Sequence, residues 1–337
     1  MPADVDLRLG SPQGERESVR RLLRLLATAG AALMLIVVVT SAYLRLTQAG
    51  LSCSDWPACY GRVDAHAAAT AGMSGARLTH RIAASAVGIV LLAALLVGVA
   101  QRPWPKRQVA ITIAALAVAL FLAGLGSTLP ASTDAMPSLR VTLSNLGGGF
   151  ALLALLWWLR LSTLPAARLP EKSSALLKLA AALTLFAVVA QIALGALVSA
   201  KFAALACPAF PGCGADWPQG ALLDALDLTH GPPSGANGEM LRPPALAALH
   251  WTHRVGALIV AALGVVIMPS LLGAGGNARR TGAILAVLLV LQPALGATAV
   301  LASFPLALVV AHNACAALLL LVLMSANRAL HSNDLSQ

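Results

Sequence analysis

Long apolar runs, broken by short polar or Pro/Gly-rich segments, dominate this chain. A run of about 18 or more residues with few or no charges reads as a bilayer-spanning helix. Eight such runs stand out, at roughly 24–44, 80–100, 109–129, 140–159, 175–200, 247–272, 281–302 and 305–327. The segments between them are too short for a separate soluble domain. The first run is longer than the apolar stretch of a signal peptide, and no A-x-A site follows it at once, so it reads as a retained helix. The expected fold class is all-α: a polytopic membrane protein whose eight transmembrane helices form two pseudo-symmetric four-helix bundles.

Composition agrees with this pattern. Hydrophobic residues make up 58% of the 337 and charged residues 11%, against about 25% charged in a soluble domain. The net charge of +10 would by itself suit nucleic acid. Its placement points elsewhere. With the N-terminus inside, one side of the membrane receives Arg8, Arg16, Arg20, Arg21 and Arg24, then Arg102, Lys106 and Arg107. The same side receives Arg160, Arg168, Lys172 and Lys178, then Arg279 and Arg280, and lastly Arg328. This is the positive-inside pattern. It makes the lipid bilayer the partner of this charge and argues against nucleic acid. It predicts a multi-pass protein of the cytoplasmic (inner) membrane with both termini cytoplasmic.

Both cysteine-bearing loops, "LSCSDWPACYG" and "LACPAFPGCGADW", then lie outside, where disulfides persist. Cys53 with Cys59, and Cys207 with Cys213, would each close a small loop. Cys315 falls in the last run and reads as a small buried apolar residue. Trp56, Trp217 and Trp251 fit an interfacial aromatic belt.

The chain is also written twice. "AGLSCSDWPAC" aligns without a gap on "AALACPAFPGC", "LTHRI" (Leu78–Ile82) on "WTHRV" (Trp251–Val255), and "GLGSTL" resembles "ALGATAV". Each half holds an even number of spans, so the halves are parallel repeats about an axis along the membrane normal. The expected organisation is a cytoplasmic tail (1–22), a first four-helix half (23–160), a linker (161–174), a second half (175–328) and a tail (329–337).

Four of the seven histidines lie in or at the mouth of apolar runs: His80, His250, His253 and His312. An ionisable residue inside a membrane segment is costly and marks a functional site by default. His80 and His253 occupy equivalent T-H-R positions. His253 and His312 reach similar depth on inward-running helices, and two facing imidazoles in a bundle suit axial ligation of a haem iron. Arg81 and Arg254 follow two of these histidines. They could hold haem propionates, or could snorkel to the interface. His250, one turn outward of His253, reads as a loop residue or as a partner of the ligand.

"RLTQAGLSCSDWPACYG", "LTHRI", "QIALGALVSAKFAALACPAFPGC", "LHWTHRVGAL" and "LQPALGATAVLASFPLALVVAHNACAALL" together resemble the haem A synthase family of cytochrome oxidase assembly, from about Leu22 to Arg328. The resemblance implies a membrane oxidoreductase that converts haem O to haem A, oxidising a ring methyl to a formyl by successive hydroxylation. It implies haem b held by His253 and His312 as iron ligands, and substrate haem O in the first half with His80 as the catalytic ligand to its iron. The partners implied are haem O, the haem O synthase and an electron acceptor the sequence does not identify. Self-association into a homo-oligomer stays open.

Two positions depart from the family's pattern. Arg77 stands where an acidic residue is usual, three residues before His80. Ser144, with Asn145 beside it, stands opposite His312 when Pro137 is aligned with Pro305, and the third and fourth runs hold no histidine. Serine and asparagine are poor iron ligands beside imidazole. The alternative is therefore a catalytically impaired paralogue, acting as a haem-b-binding assembly or electron-transfer protein. A thiol oxidase fits less well, because its cysteines are usually C-x-x-C. A transporter fits less well too, because no acidic residue lies mid-bilayer.

Overall fold

Among the described residues, eight helices are long and apolar enough to cross a bilayer, in agreement with the eight apolar runs. The computed structural model describes residues 12–48, 71–127, 138–165, 174–213, 220–229 and 243–331, and among these no strand occurs. In chain order the helices are α1 (Pro12–Gln48), α2 (Ala71–Val99), α3 (Lys106–Ser127), α4 (Leu139–Ser162) and α5 (Ala175–Ala200). They continue with a short α6 (Ala221–Leu226), then α7 (Pro244–Leu272), α8 (Gly276–Leu301) and α9 (Leu306–His331). A short 3-10 turn, Ala203–Ala206, follows α5.

Several helices start well before the apolar run they contain. The second run begins near residue 80 and α2 at Ala71; the sixth begins near 247 and α7 at Pro244. Hydropathy marks where a helix meets lipid, whereas the backbone ladder continues through polar residues until a cap or a proline ends it. Ser138 and Ser174 supply such caps, accepting from the amides of Val141 (3.4 Å) and Leu177 (3.2 Å). A proline opens α7, where its missing N–H costs nothing.

Packing contacts fall into two sets. α1 lies against α2 and α4, and α3 against α2 and α4; α5 lies against α7 and α9, and α8 against α7 and α9. Between the sets, α9 touches α1 and α4, and α5 touches α4. Each set has its own apolar core. One is centred on Leu91, Leu153 and Leu156 and the other on Ile267, Leu271 and Leu285. Large apolar side chains also face outward: Leu120 is 70% exposed, Phe186 72% and Val290 71%. In water this surface would drive aggregation; in hydrocarbon it is the solvated surface, and helix association rests on close packing and polar contacts instead.

Polar contacts tie the sets together. Trp157 Nε1 on α4 donates to Ser325 Oγ on α9 at 2.9 Å. At the same end, the last carbonyls of α4 and its following turn receive two guanidinium groups. Arg24 of α1 donates to Thr163 O at 3.0 Å, and Arg328 of α9 donates to Leu164 O at 2.6 Å. Cations at a helix C-terminus meet the negative end of its dipole and its unpaired carbonyls. At the opposite end, α5 and α8 are terminated by bulky residues in the left-handed region: Phe202 (φ 57°) and Phe304 (φ 60°). That conformation usually falls to glycine at a helix end. Both rings pack in one apolar cluster with Leu46 of α1, which offsets the strain.

Candidate functional site

His250 and His253 of α7 and His312 of α9 line a single cavity of about 400 Å³. This lies within the range of small-molecule and cofactor sites, about 300–1,000 Å³. Its walls are α5, α7, α8 and α9, with Arg45 entering from α1 and Phe150 from α4. The first four helices therefore contribute to a cavity centred in the last four.

The imidazoles of His253 and His312 face one another with ring centroids 6.4 Å apart and planes at 73°. An imidazole nitrogen sits about 2 Å from a bound first-row metal, and the ring centroid about 1 Å further out. Two rings binding one metal in line therefore have centroids about 6 Å apart. The ring Nδ1 atoms of both residues are buried and make no hydrogen bond. An unpartnered buried polar atom costs free energy, so it calls for an absent partner. Among the described residues no group of three or more His, Cys, Asp or Glu could hold a bare metal ion. Two imidazoles with no further protein ligand suit a metal whose remaining ligands arrive with it, as the four nitrogens of a porphyrin do. Imidazole is also an apt ligand for iron.

The backbone makes room for these rings. A Cβ at Gly195 of α5 would come within 2.9 Å of His253 Cε1, and a Cβ at Gly296 of α8 within 3.2 Å of His312 Cε1. Each glycine lies one turn beyond a glutamine, in "QIALG" (Gln191–Gly195) and "QPALG" (Gln292–Gly296). Gln191 Nε2 donates to the backbone carbonyl of His253 at 2.6 Å, while Gln292 Nε2 lies 3.2 Å from the ring nitrogen Nε2 of His312. Sequence reasoning singled out neither glutamine, although the repeated Q-x-A-L-G pattern was there to be read.

His250 is not a loop residue. It sits two turns into α7, is 5% exposed, and its ring lies 6.2 Å from that of Phe304.

Arg254 lines the cavity beside the histidines and reaches the loop next to them. Its guanidinium donates to the carbonyls of Cys207 (2.5 Å), Ala209 (2.6 Å), Gly212 (2.9 Å) and Pro211 (3.3 Å). Cys207 and Cys213 form a disulfide with Cα atoms 4.8 Å apart, and Phe210 and Pro211 of the loop it closes line the cavity. The disulfide loop thus forms part of the cavity wall and is held by Arg254. The cation that lines the cavity from the other half is Arg45, which donates to Ser199 Oγ.

His80 lies apart from this cavity, half-buried on α2, with Nδ1 3.3 Å from Thr40 Oγ1 of α1. The Thr40 hydroxyl donates its one proton to Ile36 O at 2.7 Å, so toward His80 it can only accept. Nδ1 then carries the ring proton, and Nε2 keeps its lone pair. Arg81 is exposed, and Arg77 is half-buried. Ser144 is half-buried and Asn145 exposed on α4, and neither lines the cavity. Cys53 and Cys59 lie outside the described residues.

Comparison with known proteins gives a consistent result. Residues 24–74 and 76–324 match the family described as "Cytochrome oxidase assembly protein". The chain is 32% identical over 311 residues to the "Heme A synthase" of Shewanella oneidensis, covering 87% of this chain and 92% of that protein. A shorter similarity, 32% over 129 residues, links it to a "Protoheme IX farnesyltransferase" of Haloarcula marismortui, covering 38% of this chain and 27% of that protein.

Proposed function

The chain belongs to the cytochrome oxidase assembly protein family, and from that premise we propose that it is a haem A synthase that oxidises a ring methyl of haem O to a formyl group. The observation that carries this reading is the facing pair His253 and His312, 6.4 Å apart with unpartnered buried ring nitrogens. It stands beside the likeness to the Shewanella protein over most of both chains.

On this reading His253 and His312 hold haem b, and His80 takes the iron of the substrate haem. A haem supplies one-electron and oxygen chemistry when bound, and the protein supplies orientation and electrostatics. Gly195 and Gly296 leave the space for the ligand rings. Thr40 keeps the His80 proton on Nδ1 and so leaves Nε2 able to bind iron. Phe210 and Pro211, on the loop clamped by Arg254, keep water from the mouth of the cavity. Arg45 is placed to meet an acidic group of a ligand from the α1 side. The charge pattern supports termini in the cytoplasm and a disulfide loop on the outer side of the inner membrane. The haem O synthase, which makes the substrate, is the expected neighbour.

A second reading, a haem-b-binding assembly or electron-transfer protein, is favoured by one observation: α3 and α4 contain no histidine, so neither helix offers His80 an imidazole partner. Extraction and chromatography of haem from cells lacking the gene, and from the same cells complemented with it, separates the two. Haem A appearing only on complementation supports the synthase. Haem O persisting in both leaves the binding protein.

A further inference from the structure

The two ligand candidates are held differently, although each has the same Q-x-A-L-G segment beside it. Gln191 reaches the backbone carbonyl of His253, and its side chain lies over Gly256, where a Cβ would come within 2.3 Å of Gln191 Oε1. Gln292 instead meets the ring of His312 at Nε2. Resting on the haem reading above, we propose that Gln292 is the positioning residue that fixes the proton and orientation of the His312 imidazole, and thereby lowers the reduction potential of the bound iron.

A neutral imidazole carries one N–H and one lone pair. The nitrogen that binds a metal uses the lone pair, so the other must donate its proton, and the acceptor of that proton sets the ring's tautomer and basicity. Beside the His312 ring lies Gln292, with its side-chain amide at Nε2 and its main chain also in contact with the ring. Gln292 Oε1 is buried and makes no hydrogen bond. Turning the amide by half a revolution exchanges its oxygen and nitrogen, which have nearly the same shape. Oε1 then accepts from the ring N–H, and the opposite ring nitrogen keeps the lone pair. Hydrogen bonding to the N–H makes the imidazole a stronger donor, which favours ferric over ferrous iron. The His253 ring has no such side-chain contact: the Gln191 amide is spent on the His253 carbonyl, and the ring meets Gln191 through its main chain. The two axial ligands are therefore unequal, and the tuning falls on His312.

The test is potentiometric titration of the purified, haem-loaded protein, with electron paramagnetic resonance on the ferric form, for wild type, Gln292→Leu and Gln292→Glu. Leucine removes the acceptor, so the midpoint moves to higher potential. Glutamate of the same length accepts more strongly, so the midpoint moves lower. The low-spin signal persists in both. Shifts of opposite sign are not expected from a merely structural role, and Gln191→Leu and Gln191→Glu do not give them. Midpoints that stay put, or that both move the same way with the low-spin signal intact, overturn the proposal alone. If the leucine variant fails to fold, the glutamate variant decides by itself: no fall in potential overturns the proposal. A wild-type protein without a six-coordinate, bis-imidazole spectrum overturns the haem reading and this proposal together.

Discussion

His253 on α7 and His312 on α9 hold their imidazoles 6.4 Å apart with planes at 73°, across a cavity that both halves of the chain help to wall. The separation is what two ligands to one metal need. His253→Ala and His312→Ala should therefore each abolish the low-spin spectrum of the purified protein. His250→Ala, which removes a ring packed on Phe304, should leave that spectrum in place. Absorption and paramagnetic resonance on equal amounts of protein check both.

The glycines beside the rings give a sharper steric test. Gly195→Ala puts a methyl group 2.9 Å from His253 Cε1, closer than carbon atoms approach. Haem content should fall severalfold. Gly88→Ala, on α2 with nothing within 4 Å of the added Cβ, should leave haem content unchanged and stabilise the helix by about 0.5–1 kcal/mol. Pyridine-haem assay and thermal melting report the two effects.

Arg254 makes four hydrogen bonds to the carbonyls of the disulfide loop. Bonds to a charged donor contribute about 1.5–3 kcal/mol each and are not additive. Arg254→Gln should free the loop at a cost of about 2–3 kcal/mol. Reduction of Cys207–Cys213 should then run faster, as followed by alkylation and mass measurement under mild reductant. A loop reduced at the wild-type rate would show that Arg254 is not its clamp.

Thr40→Val keeps the shape of the side chain and removes the acceptor opposite His80 Nδ1. Loss of such a partner to a ligating histidine typically costs 10–100-fold. Conversion of haem O should fall by about that factor, while the spectrum of the His253–His312 site stays as in wild type. A fall in both would place the effect in folding.

Lys201, just beyond the end of α5, is 4% exposed and donates to the carbonyl of Asp227. Burial pushes its pKa below the ordinary lysine value, and the nearby Asp227 charge raises it in part. The unfolded chain then binds more protons than the folded one between the two pKa values, so stability rises with pH through that window. Below the lowered value the cost of burying the charge is fully present. Relative to Lys201→Met, the wild type should gain melting temperature as pH climbs toward the ordinary lysine range. A constant difference would contradict this.

The spans were readable because hydrocarbon accepts only segments that satisfy their own backbone, and a long uncharged run is the visible mark of one. The Cys207–Cys213 pairing followed from loop length and spacing. Helix starts were not readable: α2 begins at Ala71 and runs through Ser74, Arg77 and Thr79, which hydropathy assigns to a loop. The partner of Arg254 was not readable either. A guanidinium beside a histidine suits a carboxylate as well as a set of carbonyls, and only the fold of the loop brings the carbonyls of Cys207, Ala209, Pro211 and Gly212 to it.

By itself the amino-acid order determined the class of molecule, its eight apolar spans and which histidines fall within or beside them, because these depend on solvent preference and on residue chemistry. Only the tertiary structure decided which imidazoles share a cavity, which glutamine meets a ring and which meets a backbone, and that Arg45 of α1 serves a cavity built on α5 and α7–α9. Those choices depend on helix rotation and crossing, which vary continuously and are settled by packing between residues far apart in the chain.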